Sequence, residues 1–477
     1  MATLSWKNAA NGNWNLASNW TPGTVPSSAD IAQITIGGTY TVLLDINRTL
    51  TGLTLGTTTG IQTLDINGYT LTLKGASTVS NNGVLNLTSG TLTGTGALTI
   101  SNKLNWSGGT LSGTGKKTVS GTLNLSNGQY LDGTTLETAG ATVWTANSYL
   151  SANNGAIWNN TSTGTIDLQG DSGFYASDAL STFNNAGTFI KSNGTTGYYS
   201  YFSGIFNNTG TVQAKKGLIE IGGVYNQTAG TTILNGGGIS FYSVPMNLQG
   251  GNLAGIGTIT GSVNNSGGQV NPGNTIGTLN ITGDYSQSGT GTLNLELGSA
   301  ASFDKFNITG AADIGGILKL NLTGGFTPTI GTKFTVLTYG SATTKSFNTI
   351  QGIDISSSLA FAPTSTGKNL TLEVVDQVKD LGAIIFSSPQ SVSDFVGDTD
   401  LFDFYRFNVT TAGNIQLKLS NLTSNANVWL VDGLGRNIAQ GIKTGSADEV
   451  VSSLVDAGTY YVKVFRQAAG NNANYTG

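Results

Sequence analysis

A pair of amide residues, followed a few positions later by glycine and a β-former, recurs along the middle of this chain. Trp158-Asn159-Asn160 leads to Gly164-Thr165-Ile166, and Phe183-Asn184-Asn185 to Gly187-Thr188-Phe189. Phe206-Asn207-Asn208 leads to Gly210-Thr211-Val212, and Tyr225-Asn226-Gln227 to Gly230-Thr231-Thr232. The glycine-to-glycine steps are 23, 23 and 20 residues. A period of this length, made of short strands and turn residues, predicts a solenoid whose rungs stack on one another. The expected fold class is all-β: a right-handed parallel β-solenoid (β-helix) with a small C-terminal antiparallel β-sandwich.

Composition supports stacked strands. Of 477 residues, 69 are glycine and 7 proline, and only 10% are charged, against about 25% in an ordinary soluble domain. Thr, Ser, Asn and Gly fill the deficit. Branched Thr suits a pleated surface, and Asn and Gly suit corners where the backbone turns left-handed. Regularly spaced Leu, Ile and Val argue against a disordered chain of similar composition.

The alternation Tyr40-Thr41-Val42-Leu43-Leu44 places every second residue inside, and Leu85 with Leu87 and Leu123 with Leu125 follow the same rule. No segment sustains a 3.6-residue period with caps, so almost no helix is expected. Stacked rungs about 4.8 Å apart would align asparagines into hydrogen-bonded ladders.

The expected organisation has five parts. Residues 1–32 hold three of the seven tryptophans, Trp6, Trp14 and Trp20, and read as an aromatic cap over an open solenoid end; a carbohydrate-stacking platform is the rival reading. Residues 33–283 are solenoid repeats, and 284–375 the last rungs or a C-terminal cap. Residues 376–383 concentrate Asp376, Lys379 and Asp380 and read as a linker. Residues 384–477, with strands such as Phe402–Phe407 and Gly458–Val464, read as a sandwich.

The tail resembles the bacterial pre-peptidase C-terminal domain, through Asp400–Phe407, Asp432-Gly433-Leu434-Gly435 and, most closely, Leu454–Val464. The resemblance implies a calcium-associated β-sandwich of a secreted protein. Such domains usually end in a strand after the Asn-Tyr-Thr present here as Asn474-Tyr475-Thr476, so either the last strand is missing or the full protein continues beyond Gly477 and supplies it. The body resembles the β-strand-repeat regions of autotransporter-like and cyanobacterial surface proteins, through Val270–Leu279, Gly291–Leu295, Phe303–Gly310 and Gly325–Pro328. That resemblance implies a surface location.

Chemistry is constrained by absence. With no histidine and no cysteine, neither a Ser-His-Asp triad nor a His or Cys metal site can form. Asp167, Asp171 and Asp178 fall in one stretch, as a polysaccharide-active groove would need, but are best read as turn acids, and the chain is expected not to be an enzyme. Asp394, Asp398, Asp400 and Asp403 are oxygen donors at short spacing. Asp398, Asp400 and Asp403, with Asp432 from a neighbouring loop, are the candidate calcium ligands; a solvated acidic turn is the alternative. No other cofactor is expected.

A net charge of −4 and the lack of a basic patch argue against nucleic acid. No apolar stretch is long enough to span a membrane. Residues 1–20 lack a signal-peptide pattern, so either a leader is removed or export needs none. The expected function is extracellular and structural, at a bacterial surface: a subunit of a fibre, sheath or matrix that self-associates, with strand donation to the sandwich as the joint. The alternative is an adhesin that binds glycans through exposed aromatics such as Tyr198, Tyr199, Tyr201 and Phe202.

Overall fold

The computed structural model describes residues 1–342, 345–385 and 388–477. Nearly all regular structure is β, with one 3₁₀ turn at Ala17–Asn19. The chain forms two compact units, residues 1–252 with 257–261, and residues 253–256 with 262–477.

In the first unit each rung contributes three short strands, and each strand pairs in parallel with its counterpart one rung away. One face runs through Ile157–Asn160, Thr182–Asn185, Ile205–Asn208 and Tyr225–Gln227. A second runs through Thr165–Leu168, Thr188–Lys191 and Thr211–Ala214. A third runs through Thr110–Ser112, Gln129–Asp132, Leu150–Asn153 and Phe174–Ala176. Sequence alternation becomes burial alternation: in Thr182–Asn185, Phe183 and Asn185 are buried while Thr182 and Asn184 are half-buried. Register places like on like. Trp158, Phe183, Phe206 and Tyr225 are successive rung partners, with ring centroids 5.3, 4.8 and 5.0 Å apart. Such pairs add about 0.5–1.5 kcal/mol each beyond the area they bury.

The asparagine pairs form two columns. In the outer one Asn184 Nδ2 donates to Asn159 Oδ1 (2.8 Å), Asn207 to Asn184 (2.9 Å), Asn226 to Asn207 (3.1 Å) and Asn247 to Asn226 (3.0 Å). In the inner, buried column the donation runs the other way: Asn160 to Asn185 (2.8 Å), Asn185 to Asn208 (2.9 Å) and Asn208 to Gln227 (3.2 Å). The second N–H of the inner amides is held by backbone carbonyls, Asn185 on Thr211 O at 3.0 Å and Gln227 on Asn252 O at 2.8 Å. Buried amides are affordable only because each polar atom finds such a partner. The glycine of the repeat is a consequence of the same stacking: a Cβ at Gly210 would collide with the carbonyl of Gly187, and one at Gly187 with that of Gly164.

The amino-terminal tryptophans pack on one another beside the first strands. Thr3–Trp6 pairs in parallel with Ile31–Ile34 and antiparallel with Trp20–Thr21. Trp20 packs edge-on against Trp6 (5.2 Å) and Trp14 (4.7 Å), and all three rings are buried. They therefore offer no face to a sugar.

In the second unit parallel rungs continue through Thr292–Leu297 and Ile317–Leu322. They end in an antiparallel trio in which Asn369–Asp376 pairs with both Lys333–Thr338 and Leu359–Thr364. A β-sandwich follows. One sheet runs Lys379–Ala383, Phe402–Val409, Gly458–Arg466, Ala426–Asp432, Asn437–Gly441; Gly413–Leu419 with Glu449–Val455, and Ser393–Val396 with Ala473–Thr476, form two-stranded sheets. Tyr405, Phe407, Leu430, Val462, Val464 and Tyr475 are among its core residues. The expected linker at 376–383 is instead strand: Asn369–Asp376 runs to its end, and Lys379–Ala383 is the edge of the larger sheet, parallel to Phe402–Val409. Its charges mark a sheet edge, where Asp380 pairs with Arg406 and Lys379 with Asp394.

Candidate functional site

The sandwich is open along one edge. Gly413–Leu419 is fully paired on one side with Glu449–Val455. On its other side, among the described residues, the bridge Ser420–Thr476 is the one strand contact. Beneath that edge lies a cleft of about 390 Å³, lined by Leu381, Ile384, Val392, Ile415, Leu417 and Val464 among others. Burial along the strand reports the gap. Ile415 and Leu419 are buried, whereas Leu417, inward-facing between them, stays half-exposed. Strand Ala473–Thr476 runs toward the cleft: Thr476 exchanges backbone bonds with Ser420, and Gly477 with Val392 at 2.8 and 3.0 Å. An extended segment laid along Asn414–Lys418 would satisfy the free backbone edge and cover Leu417.

The aspartates divide among separate tasks. Asp394 accepts from Tyr405 Oη at 3.0 Å and from Lys379; Asp403 accepts from Tyr475 Oη at 2.6 Å and lies 3.9 Å from Lys379; the two hydroxyls also bond to each other. Burial pushes the Asp403 carboxyl above the usual range, against the Tyr475 bond, and Tyr405 rises to about 12 chiefly through burial. Asp400 is also raised, by burial and then by Asp376. This network ties strands Ser393–Val396, Phe402–Val409 and Ala473–Thr476 together.

Asp398 turns away to Arg466 and to Gly470 N at 3.0 Å. Asp432 is buried in its own turn, accepting from Leu434 N (2.9 Å), Arg436 N (3.0 Å) and Arg436 Nε (2.6 Å). Burial raises its carboxyl while Arg436 opposes the rise. Asp398, Asp400, Asp403 and Asp432 therefore do not converge, and among the described residues no three acidic groups are disposed to hold a metal ion. The four do not fit a shared calcium site, because Lys379, Arg466 and Arg436 already supply the positive charge that the ion would bring. Asp171 and Asp178 are likewise engaged, and Asp167 through one of its two oxygens. Asp171 binds buried Lys191 at 3.0 Å, Asp178 caps backbone at Gly155, Leu180 and Ser181, and Asp167 accepts from Gln169.

A second feature lies on the third solenoid face. Tyr149, Tyr175 and Tyr201 form a compact triangle of rings, with Tyr149–Tyr175 at 6.0 Å, Tyr175–Tyr201 at 6.3 Å and Tyr149–Tyr201 at 6.3 Å, and Tyr199 lies 6.2 Å from Tyr201. Tyr149, Tyr175 and Tyr199 are exposed, as are Tyr198 and Tyr242. Glu220 sits beside Tyr201 in register, half-buried, and burial raises its carboxyl. Tyr201 lies against Gly222, where a Cβ would strike its ring. Phe202, expected in an exposed footprint, is buried: it alternates with Tyr201 and stacks on Phe189 and Phe206. Tyr149, Tyr175 and Tyr242 escaped sequence reasoning, although Tyr149, Tyr175 and Tyr201 recur every 26 residues, close to the length of a rung.

Residues 401–466 match the family model of the bacterial pre-peptidase C-terminal domain. No curated protein matches the chain. Among solved structures, the pre-peptidase C-terminal domain of collagenase from Bacillus anthracis is 20% identical over 21% of this chain and 91% of that one, with a TM-score of 0.19. The enzymatically active domain of tailspike protein 4 from bacteriophage CBA120 is 12% identical over 87% of this chain and 64% of that one, with a TM-score of 0.22.

Proposed function

We propose that this protein is a non-catalytic structural component of a bacterial cell exterior, joined to further copies of itself by strand addition to the open edge Gly413–Leu419. The observation that carries the reading is the cleft of about 390 Å³ beneath a strand paired on one side, whose central inward residue, Leu417, stays half-exposed. Main-chain bonds from an added strand would give affinity, and alternate side chains entering the cleft would give specificity. The sandwich's match to a bacterial pre-peptidase C-terminal domain supports an exterior location, and among the described residues no helix is long and apolar enough to cross a membrane. The solenoid supports a mechanical role: its asparagine columns are internally satisfied, and Asp171 and Asp178 serve a buried pair and a turn. Sedimentation velocity over a concentration series tests the joint. Wild type should associate as concentration rises, and Leu417→Lys, which sets a charge where the added strand's side chains would pack, should shift the equilibrium at least tenfold toward monomer at unchanged circular dichroism. A wild type that stays monomeric, with amides 414–418 exchanging fast at the highest concentration, would overturn it.

A second reading, adhesion to glycans, is favoured by the exposed tyrosine cluster.

A further inference from the structure

We infer that the triangle of Tyr149, Tyr175 and Tyr201, with the Glu220 carboxylate beside it, binds a quaternary ammonium group of the kind choline carries. Such a site is independent of the strand joint, and it gives the tyrosine cluster a different ligand from the glycan reading. The three ring centroids lie 6.0, 6.3 and 6.3 Å apart. A group seated over their middle is therefore within about 6 Å of every ring, the range in which a cation is drawn to the negative face of an aromatic. The ring planes are inclined to one another by 33°, 37° and 67°, so together they suit a compact, rounded group better than a flat one. Tyr149 and Tyr175 are exposed and Tyr201 is half-buried, which leaves the triangle open to a ligand from solvent.

Charge decides which ligand. Glu220 is the rung partner of Tyr201 and is half-buried. Its negative charge reaches two of the three rings: burial and then Glu220 raise the Tyr201 hydroxyl, and burial, Tyr199 and Glu220 raise that of Tyr149. Among the described residues no ion pair involves Glu220. Every cation–ring contact among them is made by Lys305, Lys379 or Lys463, all in the second unit of the chain. A half-buried carboxylate beside three rings that no lysine or arginine covers is complementary to a cation. One carboxylate is too few oxygens for a calcium ion, which takes about six or more. A primary ammonium is strongly hydrated and asks for several acceptors. A quaternary ammonium has no N–H to satisfy and lays its methyl groups on the rings. The rings are also held in place. Tyr175 and Tyr201 lie in strands Phe174–Ala176 and Tyr199–Phe202, and Tyr201 rests on Gly222, where a Cβ would strike its ring.

Titration of the full chain with choline, followed by calorimetry and by saturation-transfer NMR of the ligand's methyl protons, tests the site. Choline should bind, and its uncharged tert-butyl analogue should bind at least about tenfold more weakly. Tyr149→Ala, Tyr175→Ala and Glu220→Gln should each weaken choline at least about threefold, whereas Tyr175→Phe, which keeps the ring, should change it less than about twofold. Choline binding accompanied by retention on phosphatidylcholine vesicles would trace the ammonium to a lipid headgroup, and choline binding without retention to a free solute; either supports the site. Equal binding of the uncharged analogue, or choline binding that survives all three weakening substitutions, would overturn it. Failure of choline to bind would overturn it too, and binding of a neutral oligosaccharide by the same sample would then leave the glycan reading standing.

Discussion

Lys117 shows how far one residue can depart from the pattern of its column. Its register partners in the neighbouring rungs are Leu98 and Leu136, so its side chain enters a position that leucine fills on either side. The ammonium is tolerated because it reaches the corner, donating to Ser112 O, to Gly113 O at 3.3 Å and to Thr134 Oγ1 at 2.9 Å. No carboxylate accompanies it there, and burial pulls its pKa down to about 8. In the unfolded chain the same amine titrates near 10.4. Between those values the unfolded state binds the extra proton, so stability must rise as pH rises through that window. Compared with Lys117→Met, the wild type should gain up to about 3 kcal/mol of relative stability between pH 7 and 10.5. Denaturant titrations of both proteins at four pH values would measure this, and a flat difference would refute it. Composition gave no hint of this lysine, because a charge in an alternating strand reads as an outward residue until register is known.

At the scale of the element, the two asparagine columns differ in consequence although they come from one dipeptide. Asn185 is buried and its amide serves Asn160, Asn208 and Thr211, so truncation would orphan two buried neighbours. Asn184 lies half-buried, where water can replace its partners. Asn185→Ala should therefore cost about 2–4 kcal/mol and Asn184→Ala less than about 1 kcal/mol, read from unfolding midpoints. The dipeptide repeat made the rungs and the ladders legible in the sequence, because period and register there are one property. The strand Lys379–Ala383 was not legible: its charges read as a linker until Arg406 and Asp394 appeared beside them. The tyrosine cluster was half legible, since Tyr199 and Tyr201 are close in sequence, whereas Tyr149 and Tyr175 join them through rung stacking alone. Spacing in the acidic cluster could not show that Asp398 and Asp432 face partners of their own.

For the whole molecule, stability rests on stacked apolar positions, satisfied amides and close backbone contacts, with only 10% of residues charged. Most of its ion pairs are partly exposed, and such pairs contribute about 0–1 kcal/mol each and are screened by salt. Thermal unfolding followed by circular dichroism should therefore shift by no more than a few degrees between low and molar sodium chloride; a large salt-dependent fall would show that electrostatics carries more than the packing suggests. The opposed direction of donation in the two asparagine columns bears on how long such a stack can grow. A row of aligned amides is a row of aligned dipoles, and an α-helix gathers an end charge of roughly half an electron from the same geometry. Between Asn159 and Gln227 one column's polarity opposes its neighbour's at each rung. Repeats that carry both columns can be added without accumulating the field that a single column would build at its ends.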